Sequence, residues 1–167
     1  LGGALFLPGR RRKADRWLPA VFPTVQGRLI GVVRIAKLDA GFLIDTETAS
    51  HEAVLKTISR FTLAGDFKVI DVSGEIALLT VQGKRARGVI QNVAENVTIL
   101  SATHTGEQGF DLLINTDDRA VIAGKLIAAG AQPVSPETFE TLRIEAGIPR
   151  YGQDMDETNV VLEANLD

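Results

Sequence analysis

The sequence predicts an α+β fold built mostly of antiparallel sheets with flanking helices. Three observations carry the prediction. Short Val- and Ile-rich runs come in consecutive pairs, the turns joining them carry Gly, Asp or Ser, and helical periodicity appears only between the pairs. A parallel βαβ sheet would instead separate its strands by long crossovers. The 167 residues, 45% hydrophobic and 23% charged, suffice for one substantial core or for two small lobes packed together.

Composition narrows the chemistry before any motif is considered. The chain has no Cys, which removes disulfides, thiolate metal sites, iron–sulfur ligation and a Cys nucleophile. Charged residues interrupt every apolar stretch before the roughly 18 residues that a membrane helix requires, so no membrane partner is expected. The location expected is cytoplasmic, or the mitochondrial matrix in a eukaryote. A net charge of −3 gives no general reason to expect nucleic acid. The local exception is Arg10-Arg11-Arg12-Lys13, with Arg16 beyond it. Residues 1–15 are therefore read as a basic N-terminal arm, either a solvated loop or a contact for RNA, DNA or an acidic partner. The apolar residues Leu1 to Leu7 precede the basic cluster, the reverse of a signal peptide.

The elements follow in order. Pro19 and Pro23 mark Trp17 to Pro23 as a lead-in segment whose Trp17 and Phe22 pack on a core. Gly27 opens a strand over Arg28 to Lys37, too uniformly apolar for a half-exposed strand and so buried on much of both faces. Asp39-Ala40-Gly41 turns the chain into a second strand, Gly41 to Thr46. Ser50 or Thr48 caps a helix with Ala53, Val54, Ile58, Phe61 and Thr62 at helical spacing, ending near Gly65. Strands are predicted over Phe67 to Val72 and Glu75 to Val81, around a Ser73-Gly74 turn. Beyond Gln82-Gly83 a short basic helix, Lys84 to Gln91, turns Ala86, Val89 and Ile90 inward. Val97 to Thr103 and Gly109 to Ile114 are two further strands. Thr116 is read as the cap of a helix from Asp117 to about Ala129, with acids favoured by the dipole in its first turn and Gly130 as its stop. Ser135-Pro136 starts a last helix, Ser as cap and Pro at the first helical position, which Gly147 and Pro149 end.

The polar stretch after that helix carries Arg150, Tyr151, Asp154, Asp156 and Glu157, and polar loops carry sites more often than packing. Arg143 and Glu145, two apart on the helix, do not face each other. Each is read as pairing with loop acids such as Asp154 or Asp156. Tyr151 either stacks on a flat ligand ring or is a packed aromatic. His104 is either a general base or a hydrogen-bonded loop residue. Without a second ligand at suitable spacing it makes no metal site, and no catalytic set is assigned. Asn96-Val97-Thr98 matches a glycosylation acceptor but stands without a secretory signal.

Two segments carry a resemblance. Thr105-Gly106-Glu107-Gln108-Gly109-Phe110-Asp111 resembles the Thr-Gly-Glu-x-Gly-aromatic-acidic motif of the glycine-cleavage T-protein (aminomethyltransferase) superfamily. Leu142 to Asp156 resembles the segment that closes its folate-binding core. Gln26-Gly27-Arg28-Leu29 and Phe42 to Glu47 look like strands of its YgfZ-type branch of folate-binding proteins. Gln82-Gly83-Lys84 is similar to a Gln-Gly-Pro turn of the family, with Lys for Pro. The resemblance spans roughly Thr24 to Asp167.

It implies a two-lobed folate-binding core, residues 16–167 with lobes at about 16–82 and 83–167, and tetrahydrofolate as the cofactor, held between them. A pterin's 2-amino group and N3–H form parallel donors that a carboxylate accepts as a fork. The family's acid for this falls at Asp111, one methylene shorter than the usual Glu. Glu107 either holds its turn through backbone amides or reaches the ligand, and Arg143 and Tyr151 complete the implied binding set. Where T-proteins carry an acidic pair that includes their catalytic aspartate, this chain has Gly31 and Val32. A folate-contacting arginine of T-proteins falls at Phe139. The YgfZ-type Lys-Gly-Cys-Tyr segment, the C-terminal barrel and the usual N-terminal strand are not recognisable, so an incomplete member is expected. The implied role is folate-dependent support of iron–sulfur cluster assembly or repair, with iron–sulfur proteins as partners. The alternatives are aminomethyltransferase-like one-carbon transfer and a protein or RNA interaction module without catalysis.

Overall fold

The computed structural model describes residues 3–8, 15–62, 67–91, 93 and 97–164. Antiparallel sheets with flanking helices are what it contains, in two compact units: Leu1–Ser73 with Pro149–Asp167, and Gly74–Ile148. The division expected near residue 82 falls earlier, ahead of the strand that begins at Ile76, and residues 149–167 count with the first unit.

The first unit holds five strands, β1 (Gly3–Pro8), β2 (Leu18–Pro23), β3 (Leu29–Leu38), β4 (Gly41–Thr46) and β5 (Ile70–Asp71), in the sheet order β2-β3-β4-β1-β5. Helix α1 (His51–Thr62) lays Val54 and Ile58 on Leu5, Val33 and Ile44. Gly31 makes this packing possible. A Cβ there would stand 2.8 Å from both Ser50 Cβ and Val54 Cγ2.

The structure departs from expectation in three elements. The stretch assigned to a basic arm contains β1, an inner strand paired with both β4 and β5, with Ala4 and Leu5 buried. The basic cluster Arg10 to Lys13 lies outside the described residues. The lead-in segment is strand β2, and its prolines fit because β2 is a sheet edge, where a missing N–H costs no ladder bond. The strand expected over Phe67 to Val72 reduces to the two residues of β5.

A polar chain ties these elements together. Thr46 Oγ1 donates to the Gly3 carbonyl and lies 2.9 Å from His51 Nδ1, and His51 Nε2 lies 3.1 Å from Asp71 Oδ2. Asp71 also accepts from the Ser73 hydroxyl and amide, and the Ser73 oxygen accepts from the Ala4 amide. These bonds, the Ser73 hydroxyl's first and His51's after it, lower the Asp71 pKa from 3.8 to about 2. A depressed carboxyl contributes its stability above the unfolded pKa and loses it as pH falls through the folded one. Acid should therefore weaken the first unit between about pH 4 and pH 2. Because the Asp71 side chain is 45% exposed, the contribution is on the order of 1 kcal/mol after screening. Urea midpoints at pH 7 and pH 3 check this: Asp71→Asn should lower the pH 7 value and flatten the acid dependence.

The second unit holds β6 (Ile76–Gln82), β7 (Thr98–Ser101) and β8 (Gly109–Asn115) in the order β6-β8-β7, with α2 (Ala86–Gln91), α3 (Arg119–Ala128) and α4 (Pro136–Glu145). Alternation on β8 decides the two faces. Phe110, Leu112 and Ile114 join Val89 and Ile90 of α2 and Ile122 and Leu126 of α3 in one core. Asp111 and Leu113 face the other way. Ser135 caps α4 by accepting from the Thr138 amide, Pro136 follows, and Gly147 ends the segment with φ +66°. Thr116 is not a cap: Thr116–Asp118 form a 3-10 turn ahead of α3, and neither helix start has a side-chain cap bond.

Candidate functional site

The site forms where β8 meets its incoming loop. Gly106 takes φ +75°, a backbone that favours glycine, and a Cβ there would lie 3.2 Å from Ala146 Cβ. Gly109 opens β8 beneath the Gln82 side chain; a Cβ would fall 2.1 Å from Gln82 Nε2. Between them the Gln108 carbonyl accepts from the Gly83 amide. Strand alternation then puts Phe110 into the core and Asp111 on the opposite face.

Asp111 has no solvent exposure. Thr80 and Leu100 are its cross-strand neighbours. His104 Nε2 approaches both carboxylate oxygens, at 2.9 and 3.1 Å. With His104 in its Nε2–H tautomer, both carboxylate oxygens lie within reach of one donor. The His104 ring tilts 47° against Phe139 of α4 with centroids 6.0 Å apart. Gln82 fixes the loop that carries this histidine: its Oε1 accepts from the His104 amide, and its Nε2 donates to the Ala102 carbonyl and Thr80 Oγ1.

The expected site residues take different places. Asp111, Glu107 and Arg143 belong to the second unit and Tyr151 to the first. Glu107 is exposed on the wall of a groove of about 1010 Å³, which Thr105, Phe139, Lys84, Arg85 and Arg119 also line. Arg143 is buried, donates to Glu140, and donates to the Ile148 carbonyl just past the end of α4. Tyr151 packs against Leu29 and Met155. Burial, with Glu157 and Asp156 as further causes, raises its phenol pKa. Sequence reasoning singled out His104 without its partner and read Gln82 only as part of a turn. The one trace of the Gln82 arrangement in the sequence is Gly109 itself, a glycine where an ordinary strand backbone would accept a side chain.

Residues 93–167 match the GCVT N-terminal domain. An aminomethyltransferase of Staphylococcus saprophyticus is 29% identical over 84% of this chain and 45% of its own length. One of Rubrobacter xylanophilus is 32% identical over 75% of this chain and 39% of its own. The chain thus spans less than half the length of these relatives. The crystal structure of glycine cleavage system aminomethyltransferase T from Bartonella henselae superposes with a TM-score of 0.82 at 16% identity, over 95% of this chain and 52% of that one. A chain of heterotetrameric sarcosine oxidase from Corynebacterium sp. U-96 gives 0.52 at 18% identity. The fold is that of aminomethyltransferase T, and no described helix is long and apolar enough to cross a membrane.

Proposed function

We propose, from the aminomethyltransferase fold and the GCVT N-terminal domain that the chain carries, that it binds tetrahydrofolate for one-carbon transfer of the aminomethyltransferase type. One observation supports this above the others: a fully buried carboxylate, Asp111, on the face of β8 opposite the α2–α3 core and within hydrogen-bonding distance of His104. A buried acid in that position is costly unless a donor satisfies it, and a pterin's paired N–H groups are donors of the right chemistry. The neighbouring groove supplies apolar wall for a ring system, and Lys84, Arg85 and Arg119 supply cations for the carboxylates of a folate tail. Glu107, on the same wall, is assigned to the loop's shape or to the ligand's polar edge. Arg143 and Tyr151 are assigned supporting parts, Arg143 holding the end of α4 and Tyr151 the fold of the first unit.

A second reading, folate binding without transfer, draws on Gly31 and Val32, which place no acid where T-proteins carry theirs. The YgfZ-type role in iron–sulfur assembly draws on that same feature. The matched relatives are named aminomethyltransferases, which favours transfer.

Calorimetric titration of the chain with a reduced folate tests the binding. Asp111→Ala should weaken it by about 1.5–3 kcal/mol, the scale of a hydrogen bond to a charged group. Binding untouched by that substitution would remove Asp111 from the site.

A further inference from the structure

We infer that the free edge of β6 is a docking site for an extended peptide segment of a partner protein, apolar along its length and acidic at the end beside Gln82. The inference goes beyond folate binding and needs neither Asp111 nor His104. Half of an edge strand's backbone N–H and C=O groups point away from its one partner, and natural sheets blunt such edges with proline, charge, bulges or short length. Three of the four sheet edges here are blunted. β2 carries Pro19 and Pro23, β5 has two residues and β7 has four. Among the described residues β6 is the exception. Ile76-Ala77-Leu78-Leu79-Thr80-Val81-Gln82 has no proline and no charge, and it pairs with β8 over all seven residues without a bulge.

The groove of about 1010 Å³ lies along this edge. It touches Leu78 through Gln82 in succession, residues from both faces of the strand, and no described residue of β7 or β8. A cavity over a sheet face would touch alternate residues and the neighbouring strand. Its side walls are helices on opposite faces of the sheet. Leu126 of α3 packs on the Phe110 face, whereas Phe139 of α4 meets His104, which bonds Asp111 on the other. A strand added to β6 therefore sets its alternate side chains against Ala123 and Ile127 on one side and Phe139 and Leu142 on the other, so both its faces are apolar. Charge fixes the end. Lys84 and Arg85, exposed just beyond Gln82, and Arg119 of α3 outnumber Glu107 among the charged residues of the groove. A folate tail also brings carboxylates to those cations, but only a peptide backbone can extend the ladder of β6.

The test is fluorescence anisotropy of the full chain, without folate, using a labelled octapeptide, Val-Thr-Val-Ile-Val-Thr-Asp-Glu, and the same sequence reversed, because a ladder forms in either strand direction. One of the two should bind and shift the amide resonances of Leu78 to Gln82. Methylating alternate backbone nitrogens of that peptide should weaken binding on the order of ten-fold in one phase and much less in the other, since only one set of N–H groups faces β6. Lys84→Glu combined with Arg85→Glu should weaken it on the order of ten-fold as well. No binding by either peptide, equal losses in the two methylation phases, or amide shifts confined to other strands overturns the proposal. Affinity unchanged by the charge reversal overturns the acidic end. Self-association of the chain that the peptide dissolves would assign the edge to a second copy and overturns the partner peptide. With folate absent from the assay, failure here leaves the folate reading standing, and failure of folate binding leaves this one.

Discussion

Gly31→Asp is expected to unfold the first unit rather than to restore an acid where T-proteins carry one. The first atom of any side chain at this position would stand 2.8 Å from Ser50 Cβ and Val54 Cγ2 and 3.0 Å from Ser50 Oγ. Ser50 and Val54 are 1% and 0% exposed, so neither can swing into solvent to make room. Overpacking of that kind costs about 1–3 kcal/mol. A carboxylate forced between β3 and α1 adds an unsatisfied buried charge at several kcal/mol more. The total approaches the roughly 5–15 kcal/mol that holds a whole domain folded. Urea denaturation followed by far-UV circular dichroism should show lost structure or a midpoint far below that of the parent chain. A midpoint unchanged by the substitution would mean that β3 and α1 can separate without cost, contrary to this packing.

This result bears on function. If Gly31 is set by packing, transfer chemistry in this chain cannot depend on an acid at that place. Two other carboxylates of the first unit already have partners, Asp45 with Arg34 and Glu47 with Arg150. A transferase reading therefore needs a different acid, whereas folate binding through Asp111 needs none.

How much of this was legible in the sequence depended on whether the deciding interaction was local. Helix α4 was readable because Ser135, Pro136 and Gly147 act on their own backbone neighbours. The inward residues of α2 were readable for the same kind of reason, since Ala86, Val89 and Ile90 repeat at helical spacing. Strand β2 was missed because prolines argue against a strand, and only the sheet order reveals that β2 lies at an edge. Strand β1 was missed because its partners, β4 and β5, are remote in sequence and the adjacent arginines dominated the reading. Asp111 was identified through its motif, whereas its alternation with Phe110 fixes its face. The contacts that define its surroundings, Gln82 to the His104 amide and His104 to Asp111, span 22 and 7 residues. No local pattern encodes either of them.

Gly109→Ala should damage the site without touching the residues that form it. The backbone at Gly109 is ordinary strand, so alanine brings no conformational strain, only a methyl group 2.1 Å from Gln82 Nε2 and 2.3 Å from its Cδ and Oε1. Gln82 is the flexible partner and must leave. Its bonds to Thr80 Oγ1, the Ala102 carbonyl and the His104 amide go with it. At about 1 kcal/mol for each bond, the expected loss is roughly 2–3 kcal/mol. It falls on the loop that carries His104, although Asp111 and His104 are themselves unchanged. A double-mutant cycle isolates the cause. Gln82→Ala should reproduce most of the loss, and combining it with Gly109→Ala should cost little beyond either alone, because both remove the same three bonds. Urea midpoints for the four proteins decide the matter. Additive losses would mean that Gly109 serves something other than the passage of Gln82, and the loop would then owe its shape to Gly106 and the β7–β8 ladder instead.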